Sequence, residues 1–207
     1  SKIAETLSTF HRETRVIKNA FNTTGFQEEY AKLMAHYDFI KDIAGQQVAE
    51  NCKKCVDSSK LYLNDHRSYI NDRITGGFRK DCHGDLTSHN IFLYDKPVIF
   101  DCIEYNDEFR YIDVLNEIAF LCVDLDFFNQ KHLSQYFFNR YKELMNYEIS
   151  EKERHLFNFY KSYRANIRAK VTILNQKQDE HPNDEAIEDI RRYIDLMTGY
   201  LSFWQEG

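Results

Sequence analysis

The sequence predicts a mainly α fold with one small β-hairpin, an α+β arrangement of about seven helices around a buried central helix. Three observations carry this. Helix breakers are scarce, with 7 Gly and 2 Pro in 207 residues, while Phe and Tyr number 16 and 14; long helices around a bulky core follow. Apolar residues recur at steps of three and four through most of the chain. Only residues 91–100 change character, to two compact apolar runs on either side of Asp95-Lys96-Pro97. A composition of 43% hydrophobic and 29% charged residues is that of an ordinary globular protein. The length suits one substantial core, or one core with an attachment.

Taken in order, residues 3–17 place Ile3, Leu7, Phe10 and Ile17 on one stripe. Residues 27–44 step through Tyr30, Leu33, Met34, Tyr37, Ile40 and Ile43, and Gly45 is the stop. Residues 47–74 form a third, long helix with Val48, Cys52, Cys55, Ser59, Tyr62, His66 and Tyr69 along its seam; Gly76-Gly77 ends it before a basic link, Arg79-Lys80. Ile91–Tyr94 and Val98–Phe100 are the strands of the hairpin. Residues 111–127, apolar nearly all round, are the central helix. Leu133, Phe137, Tyr141 and Leu144 mark a helix over 131–147. Ser150 followed by Glu153 is a capping box opening a helix over about 151–175. A polar connection with Pro182 leads to a last helix carrying Ile187, Ile190, Ile194, Met197, Leu201 and Trp204.

The formal net charge of -6 lacks the basic footprint that nucleic-acid binding requires. No apolar run is long enough to span a membrane, and Ser1-Lys2-Ile3-Ala4-Glu5 has no leader-like apolar core. Five cysteines, an odd count in a chain this size, read as reduced thiols in a cytoplasm.

The chemistry lies in Asp81-Cys82-His83-Gly84-Asp85-Leu86-Thr87-Ser88-His89-Asn90 and in Phe100-Asp101-Cys102-Ile103-Glu104. Gly84 allows a sharp turn between His83 and Asp85. Asn90 precedes the first strand of the hairpin and Asp101 follows the second. A hairpin brings such positions together, with Asp85 on the loop beside them. Two oxygen ligands for a hard cation, plus a carboxylate free to accept a proton, are what magnesium-dependent phosphoryl transfer needs.

The same residues, His83-Gly84-Asp85-Leu86-x-x-x-Asn90-Ile91 and Phe100-Asp101-Cys102-Ile103-Glu104, resemble the catalytic core of the aminoglycoside phosphotransferase-like kinases, whose fold is related to protein kinases. Phe109-Arg110-Tyr111-Ile112-Asp113-Val114-Leu115-Asn116-Glu117-Ile118-Ala119-Phe120-Leu121 and Tyr163-Arg164-Ala165-Asn166-Ile167-Arg168-Ala169-Lys170-Val171 extend the match toward a bacterial branch of that family. The resemblance implies that Asp85 is the catalytic base. It makes Asn90 and Asp101 the holders of magnesium against the phosphates of ATP, and Asp113 the buttress of the catalytic loop. The acceptor is then a hydroxyl of a small molecule. Where the family often has a His two residues after the catalytic Asp, this chain has Thr87.

Other residues have competing readings. His83 either holds the loop through hydrogen bonds or serves as ligand or acid; the structural role is preferred. Glu104 is a third metal ligand, directly or through water, a substrate contact, or a surface residue. The acids Asp101, Glu104, Asp107, Glu108, Asp113 and Glu117 either create a field for a cationic substrate or bind metal, cap helices and face solvent. Cys52-Lys53-Lys54-Cys55 has no second pair to complete a zinc site, so packing is the preferred reading. Arg164 and Arg168 share a helix face, where they clamp an anion or form ion pairs.

Residues 1–75 contain no strand run, no Gly-rich loop and no lysine-bearing strand pattern of the kind that grips nucleotide phosphates. By the resemblance the whole of 1–207 is the large lobe of a kinase-like fold. Residues 1–75 and 111–207 are its helical parts and 81–104 its catalytic loop and metal-binding hairpin. The small lobe, or an additional domain, is then a missing partner. The alternative is a binding or regulatory module that keeps this fold without turnover.

Overall fold

The computed structural model describes residues 1–19, 22–178 and 183–205. Among them the chain is mainly helical with two small antiparallel sheets. The helices are α1 (Lys2–Glu13), α2 (Thr23–Ala31), α3 (Tyr37–Ala44), α4 (Gln46–Asp65), α5 (Arg67–Thr75), the single turn α6 (Asp107–Arg110), α7 (Val114–Phe127), α8 (Lys131–Leu144), α9 (Glu151–Gln176) and α10 (Asp184–Gln205). The strands are β1 (Arg79–Asp81), β2 (Ile91–Phe92), β3 (Val98–Ile99) and β4 (Tyr111–Asp113). No helix among the described residues is long and apolar enough to cross a membrane.

The chain divides into two compact units. One comprises Ser1–Phe21 and Tyr69–Tyr160, the other Asn22–Ser68 and Lys161–Gly207. In the first, α1 and α7 both pack on α8. α7 is buried along its whole length except at Leu125, its polar residues Asn116, Glu117, Asp124 and Asp126 included. In the second, α2, α3 and α10 pack on α4, around Tyr30, Leu33, Ile40, Tyr62 and Ile194, none of them exposed to solvent.

Several predicted helices are broken. The run 27–44 starts earlier, at Thr23, because the Asn22 side chain accepts a hydrogen bond from the Gly25 amide. It is interrupted by a 3₁₀ stretch, Lys32–His36, which keeps residues three apart on one side and so preserves the apolar spacing. The long helix 47–74 stops at His66, whose ring stacks on Tyr62 at 4.2 Å and bonds the Tyr62 carbonyl through Nδ1 at 3.1 Å. Gly45 and Gly77 end their helices with φ of 101° and 82°, a conformation glycine adopts freely.

Residues 14–17 leave α1 and run extended beside β1. The Asp81 amide donates to the Arg15 carbonyl at 2.9 Å and the Ile17 amide to the Arg79 carbonyl at 2.9 Å. The expected basic link is thus strand β1, paired with β4 in the register Arg79↔Asp113, Lys80↔Ile112 and Asp81↔Tyr111. The central helix accordingly begins at Val114 and not at 111. The Ser150–Glu153 capping box forms in both directions: Glu153 N donates to Ser150 Oγ at 3.3 Å, and Ser150 N to Glu153 Oε2 at 2.9 Å. Pro182 and the Trp204 side chain lie outside the described residues.

Candidate functional site

The site is the loop between β1 and β2 together with the return of the hairpin. Its entrance is fixed by Glu117 on α7, which is fully buried. One carboxylate oxygen accepts from the His83 amide and the other from the Gly84 amide, each at 3.1 Å. Gly84 has φ 87°, and a Cβ there would lie 2.9 Å from the Phe109 carbonyl and 3.1 Å from Ile103 Cδ1. Both the left-handed backbone and the close approach exclude a side chain.

His83 is buried and joins the loop to the hairpin. Its Nε2 donates to the Phe100 carbonyl at 2.7 Å, and its Nδ1 accepts from the Asp85 amide at 3.3 Å. A carbonyl at one nitrogen and an N–H at the other place the ring proton on Nε2. The His83 carbonyl also accepts from the Ile103 amide at 3.0 Å. Asp101 therefore lies between two residues that are both bonded to His83.

The hairpin register is Ile91↔Ile99 and Phe92↔Val98. One step further, the Phe100 amide donates to the Asn90 carbonyl at 3.1 Å, so Asp101 follows directly on the residue paired with Asn90. The Asn90 Nδ2 donates to the Asp85 carbonyl at 2.9 Å and to Asp85 Oδ2 at 3.0 Å. Both partners are acceptors, which fixes the amide orientation. It leaves Asn90 Oδ1 and Asp85 Oδ1 without a donor among the described residues. Asp101 is exposed, has φ 62°, and has no ion-pair or hydrogen-bond partner for its carboxylate among the described residues. Asn129 and Asn146 share this left-handed backbone, which Asp and Asn adopt more readily than other non-glycine residues.

Glu104 is also exposed and unpartnered among the described residues. No three His, Cys, Asp or Glu side chains among the described residues are grouped so as to hold an ion. Asn90 and Asp101 supply two oxygens, which suits magnesium, an ion usually held by one or two carboxylates with waters and substrate phosphates completing its shell.

The remaining predicted residues take other places. Asp113 engages partners that lie off the loop. Its carboxylate forms a bidentate pair with the buried Arg73, Nε–Oδ2 at 2.6 Å and Nη2–Oδ1 at 2.9 Å, and caps α7 by accepting from Leu115 N at 2.8 Å. The buttress of the loop entrance is Glu117, one turn further along. Of the acidic stretch, Asp107 pairs with Arg110 at 2.9 Å and Glu108 with Arg79 at 3.3 Å; only Asp101 and Glu104 keep unengaged carboxylates. Cys52 and Cys55 are fully buried, and burial pushes their thiols up to about 12 and about 11, as packing residues require. Arg164 is buried, not surface-facing, while Arg168 Nε donates to the Tyr193 hydroxyl at 3.3 Å.

Sequence reading missed Asp124 and assigned Glu117 only to the general acidic stretch. The signal was present: Glu117 and Asp124 stand seven residues apart on a mostly apolar helix whose other polar residues are Asn116 and Asp126, a spacing that returns to the same face after two turns.

Three curated relatives match the chain, an uncharacterised protein of Mycobacterium bovis and uncharacterised proteins of two Mycobacterium tuberculosis strains. Each is 32% identical over 211 aligned residues, covering 96% of this chain and 39% of the relative. The chain thus spans about two fifths of the length of the curated relatives it matches. No family model and no solved structure matches it.

Proposed function

We propose that the chain carries the catalytic part of an ATP- and magnesium-dependent phosphotransferase, the large lobe of a kinase-like fold related to the aminoglycoside phosphotransferases. Its acceptor is a hydroxyl of a small molecule, and it acts in the cytoplasm. One observation supports the reading: Asn90 is bonded to Asp85 through Nδ2, and its carbonyl accepts from Phe100, the residue before the exposed Asp101.

In this reading Asp85 accepts the proton of the acceptor hydroxyl through Oδ1. The hydroxyl oxygen attacks the terminal phosphorus of the nucleotide, and the bond to the bridging oxygen breaks. Asn90 orients Asp85 through its Nδ2 and, with Asp101, holds magnesium through oxygen. Magnesium, when bound, neutralises charge on the nucleotide phosphates. His83 and Glu117 keep the loop in place. Beside Asp101 the exposed rings of Phe92 and Phe100 stack at 4.5 Å with 12° between their planes, a flat apolar surface of the sort a nucleotide base covers.

Thermal unfolding with nucleotide and magnesium tests the reading. Ligand that binds only the folded state raises the midpoint by mass action. A magnesium-dependent rise with ATP is expected, lost in Asp101→Ala and retained in Asp85→Asn, with Asp85→Asn abolishing turnover in the complete protein. A rise that persists in Asp101→Ala, or full turnover in Asp85→Asn, overturns the assignment. Binding without turnover in the unaltered complete protein would favour a regulatory module instead.

A further inference from the structure

We infer that Asp124 is a positioning residue for Asn90, acting through the backbone of Ser88. The inference rests on the phosphotransferase reading only for what Asn90 does once it is placed.

Asp124 is 3% exposed, in the last turn of a helix where Leu121, Val123 and Phe127 are buried beside it. Aspartate is a poor helix former there, and burying a carboxylate costs free energy unless a donor meets it. The donor is the Ser88 amide, 2.9 Å from Asp124 Oδ2. Ser88 opens the 3₁₀ turn Ser88–Asn90, and the Asn90 amide closes back on the Thr87 carbonyl at 3.1 Å. The Ser88 side chain is exposed. The geometry makes the Ser88 amide a charge-assisted tether between the turn and α7.

Two turns earlier on the same face of α7, Glu117 fixes the His83 and Gly84 amides. One rigid helix therefore sets both ends of the loop: the turn into Asp85 through Glu117, and the turn into Asn90 through Asp124. The separation of Asn90 from Asp85, read in their 3.0 Å contact, is a property of the spacing between two acids on one helix.

The test compares Asp124→Leu, Ser88→Pro and the double variant. Ser88→Pro removes the donor while leaving the core untouched. Proline is tolerated at the first position of a helical turn, and Thr87, at φ −118° and ψ 164°, already has the backbone that a following proline demands. The readouts are hydrogen exchange at the Ser88 amide and the Asn90 side-chain amide by NMR, and affinity for manganese, used as the paramagnetic stand-in for magnesium. In Asp124→Leu, exchange at Ser88 should rise about tenfold, as for loss of a charge-assisted hydrogen bond. Manganese affinity should fall about tenfold or more, as for loss of an outer-shell partner. Ser88→Pro should match that loss, and the double variant should add nothing further.

Unchanged exchange at Ser88 and at the Asn90 side chain in folded Asp124→Leu overturns the inference, as do losses that multiply in the double variant. Should Asp124→Leu not fold, Asn90 side-chain exchange in Ser88→Pro decides: faster exchange supports the inference, unchanged exchange overturns it. If the unaltered protein binds no manganese, the metal role of Asn90 fails, while the exchange data still decide the role of Asp124.

Discussion

Gly84 shows how a single atom is constrained at the residue scale. Its backbone sits at φ 87°, and the nearest obstacle to a Cβ is the Phe109 carbonyl, a backbone atom that no rotamer change can move. Gly84→Ala is therefore expected to destabilise the chain by about 1–3 kcal/mol and to displace Asp85. Denaturant midpoints would read the first effect, and loss of the magnesium-dependent nucleotide shift the second. The sequence made the turn at Gly84 and the hairpin after Asn90 legible, because hairpin geometry is local. The role of Glu117 was not legible, because the partners of a carboxylate 33 residues away depend on how α7 docks.

Helix α7 depends, at the scale of elements, on an ion pair at its start. Arg73 on α5 grips Asp113, the N-cap, with two hydrogen bonds and reaches Glu153 on α9 at 2.9 Å. Burial alone would lower the Arg73 pKa, but the Asp113 carboxylate beside it holds it above the usual value. Arg73→Met leaves two acids without their cation and should cost about 3–5 kcal/mol. Asp113→Asn keeps the capping oxygen and should cost clearly less; urea unfolding of the two variants tests the order. Most elements were visible in the apolar spacing, but their breaks were not. The 3₁₀ stretch Lys32–His36 leaves the spacing in phase, and the stop at His66 arises from a ring that is itself part of the seam. The pairing of β1 with β4 was hidden for a different reason. Three-residue strands such as Arg79-Lys80-Asp81 carry no alternation, and their state is set by a partner distant in sequence.

For the molecule as a whole, the buried His11 links stability to pH. Its ring is unexposed, with Nδ1 2.7 Å from the Tyr141 hydroxyl, and Nε2 has no hydrogen-bond partner among the described residues. Burial, with a smaller contribution from Lys80, lowers its pKa from 6.5 to about 3. The unfolded chain therefore binds a proton near pH 6.5 that the folded chain refuses until about pH 3. Stability from this group is complete above pH 6.5 and declines as the pH falls toward 3, by up to about 1.4 kcal/mol per pH unit. Unfolding midpoints of the unaltered chain and of His11→Gln, compared across that interval, should show a flatter acid limb in the variant. A parallel limb would mean that other groups set the acid sensitivity.

The face of α7 that bears Glu117 and Asp124 also bears on how the gene can vary. Each residue of an α-helix advances the side chain by about 100°. A codon inserted or deleted between positions 117 and 124 would swing one acid away from the loop while leaving the other in place, even though every amino acid of the motif survived. Point changes at the apolar positions between them can be absorbed by repacking, whereas a change in length cannot. Among natural variants of this chain, the interval should hold its length where its letters drift.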